Sequence, residues 1–511
     1  MKGMDKLNRN FLENNKLESD KIEVCIQDKL PVKVLQFGEG NFLRAFVDFM
    51  IDEINEKGLF NGSVTLVQPI AEGLSEMINE QDGLYTCILR GIENKRKVIR
   101  KRLITSIDSC INPYAEYDKY IEQIKNPELR FIVSNTTEAG IVYKEGENLA
   151  DKPQTSFPGK VCAMLYERFK HFGGDKSKGF IFIPCELIDN NGSVLKEIVL
   201  KLAHEWQLGE DFTDWINCAN YFTNTLVDRI VTGYPKDEAE EIWEELGYRD
   251  DLLVTAEIFH FFAIEAPEDV MDAISEELPF HKIGLNVVWT KDATPYKQRK
   301  VRILNGAHTM SVTGAYLADK DTVGQMMEDE NFVKYLQRGI FDEIIPTLDL
   351  EKDDLDSFAH SVFDRFANPY IRHYLLSIAL NSVSKYKVRV LPSILEHYNK
   401  KKEAPKILTF SMAALIAFYK GACITDGNLI GNRYGIDYKI TDDLSVLTFF
   451  KDAWENHEED LFSLTQKVLG NTEFWGHDLN ALPEFTNKAA LNLAGIMNHG
   501  AAAEVAAILK K

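Results

Sequence analysis

Three polar side chains of different chemistry lie within nine positions of one apolar segment, KVRILNGAHT at residues 300–309. They are Lys300, Asn305 and His308. In an α-helix each residue advances by about 100°, so His308 is expected about 80° and Asn305 about 140° from Lys300 around the axis. A lysine can deliver a proton, an amide can donate to a developing oxyanion, and a histidine can hold a substrate hydroxyl or orient the lysine. This set suits reduction of a ketone, and it requires no metal.

Each of the three residues also has a structural explanation when taken alone. Lys300 could extend its ammonium to water, Asn305 could belong to an Asn-Gly turn, and His308 could be a satisfied core histidine. The apolar residues among them predict a buried segment: Val301, Ile303, Leu304 and Ala307. A buried lysine costs free energy unless it is paired or used. The combination therefore favours a catalytic site.

A second candidate site follows the first β-rich run, VKVLQF at residues 32–37. GEGN comes next, then an amphipathic stretch, so the order is strand, glycine turn, helix. Such a turn lets a dinucleotide pyrophosphate approach the backbone at a helix N-terminus. A plain strand-to-helix turn is the alternative. The predicted cofactor-binding residues here are Gln36, Phe37, Gly38, Glu39, Gly40, Asn41, Phe42, Leu43 and Arg44.

Two departures from the usual dinucleotide fingerprint concern this turn. Leu43 occupies the position of the third glycine. The second predicted strand ends in Gln68, where an acid that binds the ribose is usual. The residues alone therefore leave NAD and NADP both open.

Two further segments carry polar residues. CELIDNNG, residues 185–192, follows a predicted strand at the edge where α/β sheets bind ligands, although an Asn-Gly turn is the simpler explanation. LVDRI, residues 226–230, is predicted to be a helix or a helix end, and its Asp-Arg pair is usually structural.

The elements that would position these residues form a regular series. Strands predicted at residues 32–37, 63–70, 130–135 and 179–187 alternate with helices, and residues 84–104 are predicted to form an antiparallel hairpin. After the strand at residues 285–290 the chain is predicted to be helical. The fold class is therefore α/β, with an N-terminal Rossmann-like doubly wound domain and a mainly α-helical C-terminal domain. The predicted divisions are an N-terminal extension at 1–30, a dinucleotide-binding domain at 31–290 and a helical catalytic domain at 291–511.

Composition excludes several classes of protein. The 511-residue chain has 58 basic and 79 acidic residues and a net charge of -21, which disfavours nucleic-acid binding. Seven scattered cysteines without a CxxC pair predict reduced, buried thiols in a cytoplasmic protein. The apolar run from Ile407 is interrupted by Lys420 and predicts a buried helix, not a membrane span. Histidine spacing gives no metal motif.

Taken in order and separation, these segments resemble the long-chain mannitol dehydrogenase family of metal-independent, nicotinamide-dependent enzymes. The family pattern K-x4-N-x2-H matches Lys300, Asn305 and His308. The resemblance implies that Lys300 is the general acid/base, that Asn305 and Asn191 bind the oxyanion, and that His308 orients the substrate. It also implies that Asp228 lies near the nicotinamide.

Longer matches narrow the resemblance to family members that act on a keto sugar acid. They include QFGEGNFLRAFVDF, SNTTEAGI, IPCELID, TLVDRIVTGYP and NPYIRHYLLSIALN. The expected reaction is reversible, NAD-dependent hydride transfer at the C2 carbonyl of D-tagaturonate, giving D-altronate. Reduction of D-fructuronate is the alternative, and a non-catalytic NADH-binding sensor is a third possibility. We expect a small anionic substrate, no nucleic acid, no membrane and no metal; the oligomeric state is not predicted.

One departure bears on the substrate. Polyol-specific members carry an arginine and a lysine after the Asn-Pro pair; here the lysine is Lys385, but Ser377 occupies the arginine position. A substrate carboxylate needs a charged partner. The predicted substrate-binding residues are Lys385, Arg372 and His373, with Lys387 as a further candidate; a surface ion pair is the alternative explanation for Arg372.

Overall fold

The computed structural model describes residues 4–26, 29–137 and 139–510. They divide into two compact units, residues 1–293 and residues 294–511. The sequence places its domain boundary after residue 290, and the division into units falls after Ala293.

A six-stranded parallel sheet is the centre of the first unit, with strand order β6-β3-β2-β7-β8-β9. Numbered by appearance within this sheet, the order is 3-2-1-4-5-6, the order of a Rossmann fold. The chain order reverses between β2 and β7, which places a crevice at the carboxyl ends of those two strands. The strands of this sheet are β2 (Val32–Phe37), β3 (Ser63–Val67), β6 (Ile107–Ile111), β7 (Phe131–Ser134), β8 (Ile181–Pro184) and β9 (Tyr221–Phe222).

Two smaller sheets complete the strands of the first unit. One has the order β1-β5-β4-β12-β11 and contains the predicted hairpin, β4 with β5; the other has the order β10-β13-β14. Their strands are β1 (Glu23–Val24), β4 (Tyr85–Glu93), β5 (Arg96–Ile104), β10 (Asn224–Asp228), β11 (Val231–Gly233), β12 (Val254–Ala256), β13 (Phe261–Glu265) and β14 (Val287–Thr290).

The prediction of a helix at residues 226–230 is wrong. This segment lies in β10, which pairs antiparallel with β13 from Asn224 opposite Glu265 to Asp228 opposite Phe261. The pairing partner comes more than thirty residues later in the chain, so a short apolar run without visible alternation did not reveal it.

Helices cover both faces of the parallel sheet, which confirms the doubly wound fold. The longest, α6, begins with a Ser156 side chain that accepts from the Gly159 amide and ends at Gly173, whose φ is 62°. The helices of this unit are α1 (Arg9–Asn14), α2 (Asn41–Arg44), α3 (Val47–Glu56), α4 (Ser75–Glu80), α5 (Tyr117–Ile124), α6 (Phe157–Phe172), α7 (Asn191–Glu205), α8 (Glu210–Ala219), α9 (Ala239–Leu246) and α10 (Glu268–Glu277), with 3₁₀ turns at Lys176–Lys178 and Phe280–Ile283.

The N-terminal segment packs on the first unit. Leu7, Phe11 and Ile22 are buried in one apolar cluster with the hairpin. β1 pairs parallel with β5, and the Leu7 amide donates to the Arg249 carbonyl at 2.9 Å. The described part of residues 1–30 is therefore a structural part of the unit.

The second unit is mainly helical. Its apolar helix α19 is buried from Ile407 to Phe418, and no described helix is long and apolar enough to cross a membrane. The helices are α11 (Thr294–Arg299), α12 (Gly306–Leu317), α13 (Val323–Met327), α14 (Glu330–Gln337), α15 (Lys352–Phe366), α16 (Leu375–Ile378), α17 (Ser382–Arg389), α18 (Leu391–Lys401), α19 (Lys406–Phe418), α20 (Leu444–His457), α21 (Leu461–Leu469), α22 (Thr472–Trp475), α23 (Phe485–His499) and α24 (Ala501–Lys510), with π-helices at Lys300–Asn305 and Arg338–Ile344 and 3₁₀ turns at Ile345–Thr347 and Leu479–Ala481.

The expectation of helices alone after residue 295 is wrong in one place. β15 (Gly421–Thr425), β16 (Asn428–Arg433) and β17 (Ile436–Ile440) form an antiparallel sheet. Asp426 and Gly427, both with positive φ, make the first turn. An Asp-Gly pair between short apolar runs is a hairpin signal, and it is visible in the sequence.

Cysteine placement agrees in part with the expectation. None of the seven cysteines, all within the described residues, forms a disulfide. Cys218 and Cys423 are exposed, so the expectation of buried thiols is wrong for these two.

Candidate active site

The glycine turn lies at the carboxyl end of β2, beside the end of β7. Gly38 has a φ of 113°, and a Cβ there would lie 3.0 Å from the Asn135 carbonyl oxygen. Gly40 is different: its φ is -71°, and a Cβ would meet nothing within 4 Å. The fold therefore requires glycine at position 38, whereas at Gly40 the missing side chain leaves open space in front of the turn. That space fits the approach of a cofactor phosphate.

The polar side chains around this turn bind one another. The Gln36 amide donates to the Gly38 carbonyl oxygen at 3.1 Å and to Asp48 Oδ2 at 3.0 Å. Both residues are buried, and burial raises the pKa of Asp48 to about 7. The pair of Gln36 and Asp48 holds the backbone of the glycine turn, so the structure gives Gln36 a structural role there.

Arg44 is also committed to the fold. Its guanidinium donates to the Glu39 carbonyl at 3.1 Å, to Asn41 Oδ1 at 2.8 Å and to the Leu252 carbonyl. Its carbonyl accepts from the Tyr85 hydroxyl at 2.7 Å. Arg44 therefore holds α2 in place through these hydrogen bonds. Phe37 and Leu43 are buried core residues, and Phe42 stacks on Phe46 at 5.1 Å between ring centroids.

Asn191 lies at the first position of α7, following the end of β8, and has no solvent exposure. Its amide group donates to the carbonyls of Pro184 at 2.9 Å and Glu186 at 3.1 Å, and it lies 3.1 Å from Thr225 Oγ1. Its Oδ1 accepts from the Thr225 amide at 2.9 Å. These contacts tie β8 to β10 and leave no amide hydrogen for an oxyanion, so they do not favour the expected role; the role stays a prediction.

Asp228 and Arg229 lie at the end of β10 and are both buried. Arg229 donates to the Ala45 carbonyl at 2.7 Å and to the Ile258 carbonyl at 3.1 Å. Arg229 therefore joins the glycine-turn region to β10, as a structural arginine would. Nearness of Asp228 to a nicotinamide stays a prediction.

In the second unit, the segment with the three polar residues does not begin as an α-helix. Residues 300–305 form a π-helix, in which the Gly306 amide donates back to the Val301 carbonyl, and α12 follows. Hydrogen bonding from i to i+5 brings residues five apart to the same side, one turn above each other. Lys300 and Asn305 are therefore closer around the axis than the expected α-helix allows, and both are half-buried.

Gly306 lies where the helix passes close to the backbone of another helix. A Cβ on Gly306 would lie 3.1 Å from the Arg389 carbonyl oxygen, at the end of α17. The glycine thus allows α17 to pack against the helix between Asn305 and His308.

His308 is buried in an aromatic setting. It stacks on Phe366 at 4.1 Å and meets His373 edge to face at 5.0 Å. Its Nδ1 is buried and has no hydrogen-bond partner among the described residues. Burial, with the nearby His373, Arg365 and Arg389, holds the pKa of His308 well below its usual value. The lowered pKa favours the neutral ring of His308, and a role of this ring in substrate binding stays a prediction.

Two family models match the chain: the mannitol dehydrogenase Rossmann domain over residues 32–275 and the mannitol dehydrogenase C-terminal domain over residues 292–497. The chain belongs to the mannitol dehydrogenase family.

Relatives within the mannitol dehydrogenase family share much of the sequence. An altronate oxidoreductase of Cronobacter sakazakii is 45% identical over 474 residues, covering 92% of this chain and 95% of that protein. An altronate oxidoreductase of Shigella flexneri is 46% identical with the same coverage.

Solved structures agree in fold. The Pseudomonas fluorescens mannitol 2-dehydrogenase, solved with NAD and D-mannitol, has a TM-score of 0.66 at 22% identity and covers 99% of this chain and 100% of that one. A D-sorbitol dehydrogenase has a TM-score of 0.80 at 21% identity and covers 98% of this chain and 100% of that one.

Sequence reasoning missed one basic residue beside the segment that contains Lys300, Asn305 and His308. Arg389 ends α17, is half-buried, and makes no ion pair or hydrogen bond through its guanidinium within residues 4–26, 29–137 and 139–510. Burial lowers its pKa. In the sequence, Arg389 comes seven residues after Ser382 in a helix with both apolar and basic residues. This pattern does not show whether the arginine belongs to a binding site or to the solvent-exposed surface.

The predicted substrate-binding residues differ in environment. Lys385 is half-buried and donates to the Ile378 carbonyl at 2.9 Å. His373 is half-buried beside His308, whereas Arg372 and Lys387 are exposed. The structure thus brings His373 to the His308 cluster and leaves Arg372 at the surface.

Proposed function

We propose that this chain is an NAD-dependent oxidoreductase that interconverts D-tagaturonate and D-altronate. The observation that carries the proposal is 44–46% identity over 92–93% of the chain to proteins named altronate oxidoreductase. Conversion of a ketone to a secondary alcohol is also the chemistry for which Lys300 and Asn305 are suited.

The catalytic groups divide the work at one carbonyl. Bound NADH supplies the hydride to the C2 carbon. Lys300 gives its proton to the carbonyl oxygen, and the Asn305 amide donates a hydrogen bond to that oxygen while its negative charge grows. The oxygen gains one proton and the carbon one hydride, so the ketone becomes a secondary alcohol. In the reverse direction Lys300 must be neutral to accept the proton, so oxidation is favoured at higher pH.

His308 orients the substrate in this scheme. Its neutral ring has a buried Nδ1 without a partner, and stacking on Phe366 fixes the ring plane. A substrate hydroxyl that binds Nδ1 would satisfy a polar atom that otherwise costs free energy.

The cofactor binds at the glycine turn in this proposal. Support comes from the open space at Gly40 and from the position of the turn at the strand-order reversal. Gln36 and Arg44 hold the turn, and Asn41 with Phe42 begins the helix that faces the pyrophosphate. We assign Asn191 to positioning of the sheet edge, because its amide is fully used, and Asp228 to the nicotinamide side of the site.

The substrate carboxylate meets a basic group in the second unit. Arg389 supports this assignment best, because its guanidinium has no acid partner in the described residues and its charge acts on His308. Lys385 and His373 are the other candidates. An arginine can bind a carboxylate through two parallel hydrogen bonds, which suits a half-buried site.

The test of the proposal compares substrates. Oxidation of NADH is followed with D-tagaturonate and with D-fructuronate, using the wild type and Lys300→Ala. We expect turnover of tagaturonate, and loss of general acid catalysis should lower the rate about 10²–10⁴-fold in the variant. Turnover of fructuronate alone would overturn the substrate, and NADH binding without turnover of either would overturn the enzymatic function.

The carboxylate assignment needs a substrate without the charge. D-tagatose has the same ketone but no carboxylate. Arg389→Met should lower kcat/KM for tagaturonate about 10-fold or more while leaving kcat/KM for tagatose nearly unchanged. Lys387→Met, an exposed change on the same helix, is the control and should alter neither. Equal losses on both sugars would show that Arg389 is only structural.

A further inference from the structure

The end of β3 lacks the acid that usually binds the adenosine ribose in this fold. Gln68 stands there, and its side chain is fully occupied. The amide donates to the carbonyls of Ile70 and Ala71, both at 2.9 Å, and Oε1 accepts from the Ser75 amide at 3.2 Å. Gln68 therefore shapes the loop after β3 and has no donor left for a ribose.

Glu39 reaches the same loop from the neighbouring strand. β2 and β3 run parallel with Phe37 opposite Val67, and the Gly38 amide donates to the Val67 carbonyl at 3.1 Å. Glu39 Oε1 accepts from the Leu74 amide at 3.3 Å, within the loop that follows Gln68. The carboxylate of Glu39 thus lies at the carboxyl end of β3, although the residue belongs to the turn after β2.

Gly73 locates the two side chains more closely. A Cβ built on Gly73 would lie 2.3 Å from Glu39 Oε1 and 2.6 Å from Gln68 Oε1. The two heads are therefore neighbours, and glycine at position 73 makes room for both.

We infer that Glu39 replaces the missing acid of β3, binds the ribose hydroxyls of the adenosine half of the cofactor, and makes the site selective for NAD over NADP. This inference rests on the proposed cofactor site at the glycine turn.

The physical basis is the balance of charge and hydrogen bonds. Glu39 has no salt bridge in the described residues, it is 7% exposed, and burial raises its pKa. Two ribose hydroxyls would give this carboxylate the donors that it lacks. A 2′-phosphate at the same place would bring a second negative charge against it. One residue thus favours NADH and opposes NADPH.

The experiment measures binding directly. Dissociation constants of NADH and NADPH are determined by nucleotide fluorescence for the wild type, Glu39→Gln and Glu72→Gln. Glu72 is exposed in the same loop, so its variant has the same change of charge without the proposed contact. Glutamine can still accept from the Leu74 amide, and thermal unfolding checks the fold.

We expect the wild type to bind NADH more tightly than NADPH. Glu39→Gln should weaken NADH on the order of 10-fold and reduce the ratio of the two constants at least as much, since a charged hydrogen bond and a repulsion are both lost. Glu72→Gln should leave the ratio within about twofold. An unchanged ratio in Glu39→Gln, or the same change in Glu72→Gln, would overturn the inference.

Two further outcomes distinguish a failure of this inference from a failure of folding or of the proposed substrate. If Glu39→Gln does not fold, Glu39→Asp takes its place: a shorter carboxylate should weaken NADH while NADPH stays excluded, and improved NADPH binding would overturn the inference. A wild type that binds NADH selectively but does not reduce tagaturonate would overturn the proposed substrate and leave the role of Glu39 standing.

Discussion

The glycine turn of the first unit and the Lys300 segment of the second unit treat their polar groups in opposite ways. Around the turn, the heads of Gln36, Arg44 and Asn191 are bound by the protein itself. Around Lys300, His308 Nδ1 and the Arg389 guanidinium have no hydrogen-bond partner among the described residues. The first region is a finished scaffold, in which the polar side chains bind one another or the backbone. The second region has polar groups without such a partner, and we propose that the substrate binds them.

The largest expected effect tests how much stability the buried carboxylate of Asp48 costs this scaffold. Burial raises the pKa of Asp48 from its ordinary 3.8 to about 7. The unfolded carboxyl ionises first as pH rises, so stability is lost between these values, by up to about 4 kcal/mol at about 1.4 kcal/mol per unit. Asp48→Asn removes the titration. The variant should gain stability over the wild type at pH 8, and the gain should vanish near pH 4.

Denaturant unfolding at the two pH values measures this difference. Asparagine can pair with Gln36 through both of its polar atoms, which would also satisfy Gln36 Oε1, an atom without a partner at present. Asp52→Asn is the contrasting variant, because Asp52 pairs with the buried Arg102 at 2.6 Å and its loss should destabilise at both values. A wild-type stability that does not change with pH would contradict the assignment to Asp48.

The next effect tests the second unit. Asn305→Ala should lower kcat about 10²–10³-fold, as expected for loss of one oxyanion donor, while the dissociation constant of NADH stays the same. Steady-state kinetics and a binding titration check the two halves. A rise in KM with kcat unchanged would instead place Asn305 in ground-state binding.

Substitutions of the two glycines of the turn test different properties: Gly38 the stability of the fold, and Gly40 the space for the cofactor. Gly38→Ala introduces a side chain at a φ of 113° and should destabilise the first unit by about 1–3 kcal/mol. Gly40→Val has room in the fold, so thermal stability should hold while NADH binding falls at least about 10-fold. Loss of stability in both, or retained NADH binding in Gly40→Val, would remove the distinction.

The smallest expected effect is a loss of stability at acidic pH that involves His308. Burial and neighbouring cations depress the pKa of His308, so the unfolded histidine binds a proton before the folded one does. Stability should therefore fall as pH drops below about 6.5. His308→Gln should flatten that fall, measured as Tm between about pH 8 and pH 5. An equally steep fall in the variant would assign it to other groups.

Sequence reasoning succeeded where a local pattern decides the structure. VKVLQF became β2 with the predicted bounds, and FPGKVCAMLYERFKHF became α6, because each has its own apolar period and a turn or cap at its ends. It failed where the partner is distant. β10 depends on β13, and its polar start gave no alternation to recognise. The sheet of β15–β17 has few buried residues, so its Asp-Gly turn was the only sequence signal for it.

The candidate site shows the same limit. The sequence identifies Lys300, Asn305 and His308 by residue type, but it does not predict their geometry. A π-helix replaces the expected α-helix at residues 300–305, and Gly306 faces the Arg389 carbonyl at the end of α17. The commitment of Asn191 to β8 and β10, and the reach of Glu39 to β3, likewise depend on contacts between strands that sequence spacing does not reveal.

The π-helix at residues 300–305 also has a consequence for how this site can change by mutation. A π-helical turn holds one residue more than an α-helical turn, so loss of a single codon within residues 301–304 would let the segment close as a regular helix. Lys300 and Asn305 would then be four residues apart, about 40° around the axis, so both would stay on one side of the helix while α12 kept its register with the rest of the unit. Loss of one codon here would thus remove the π-helical turn without separating the two polar side chains.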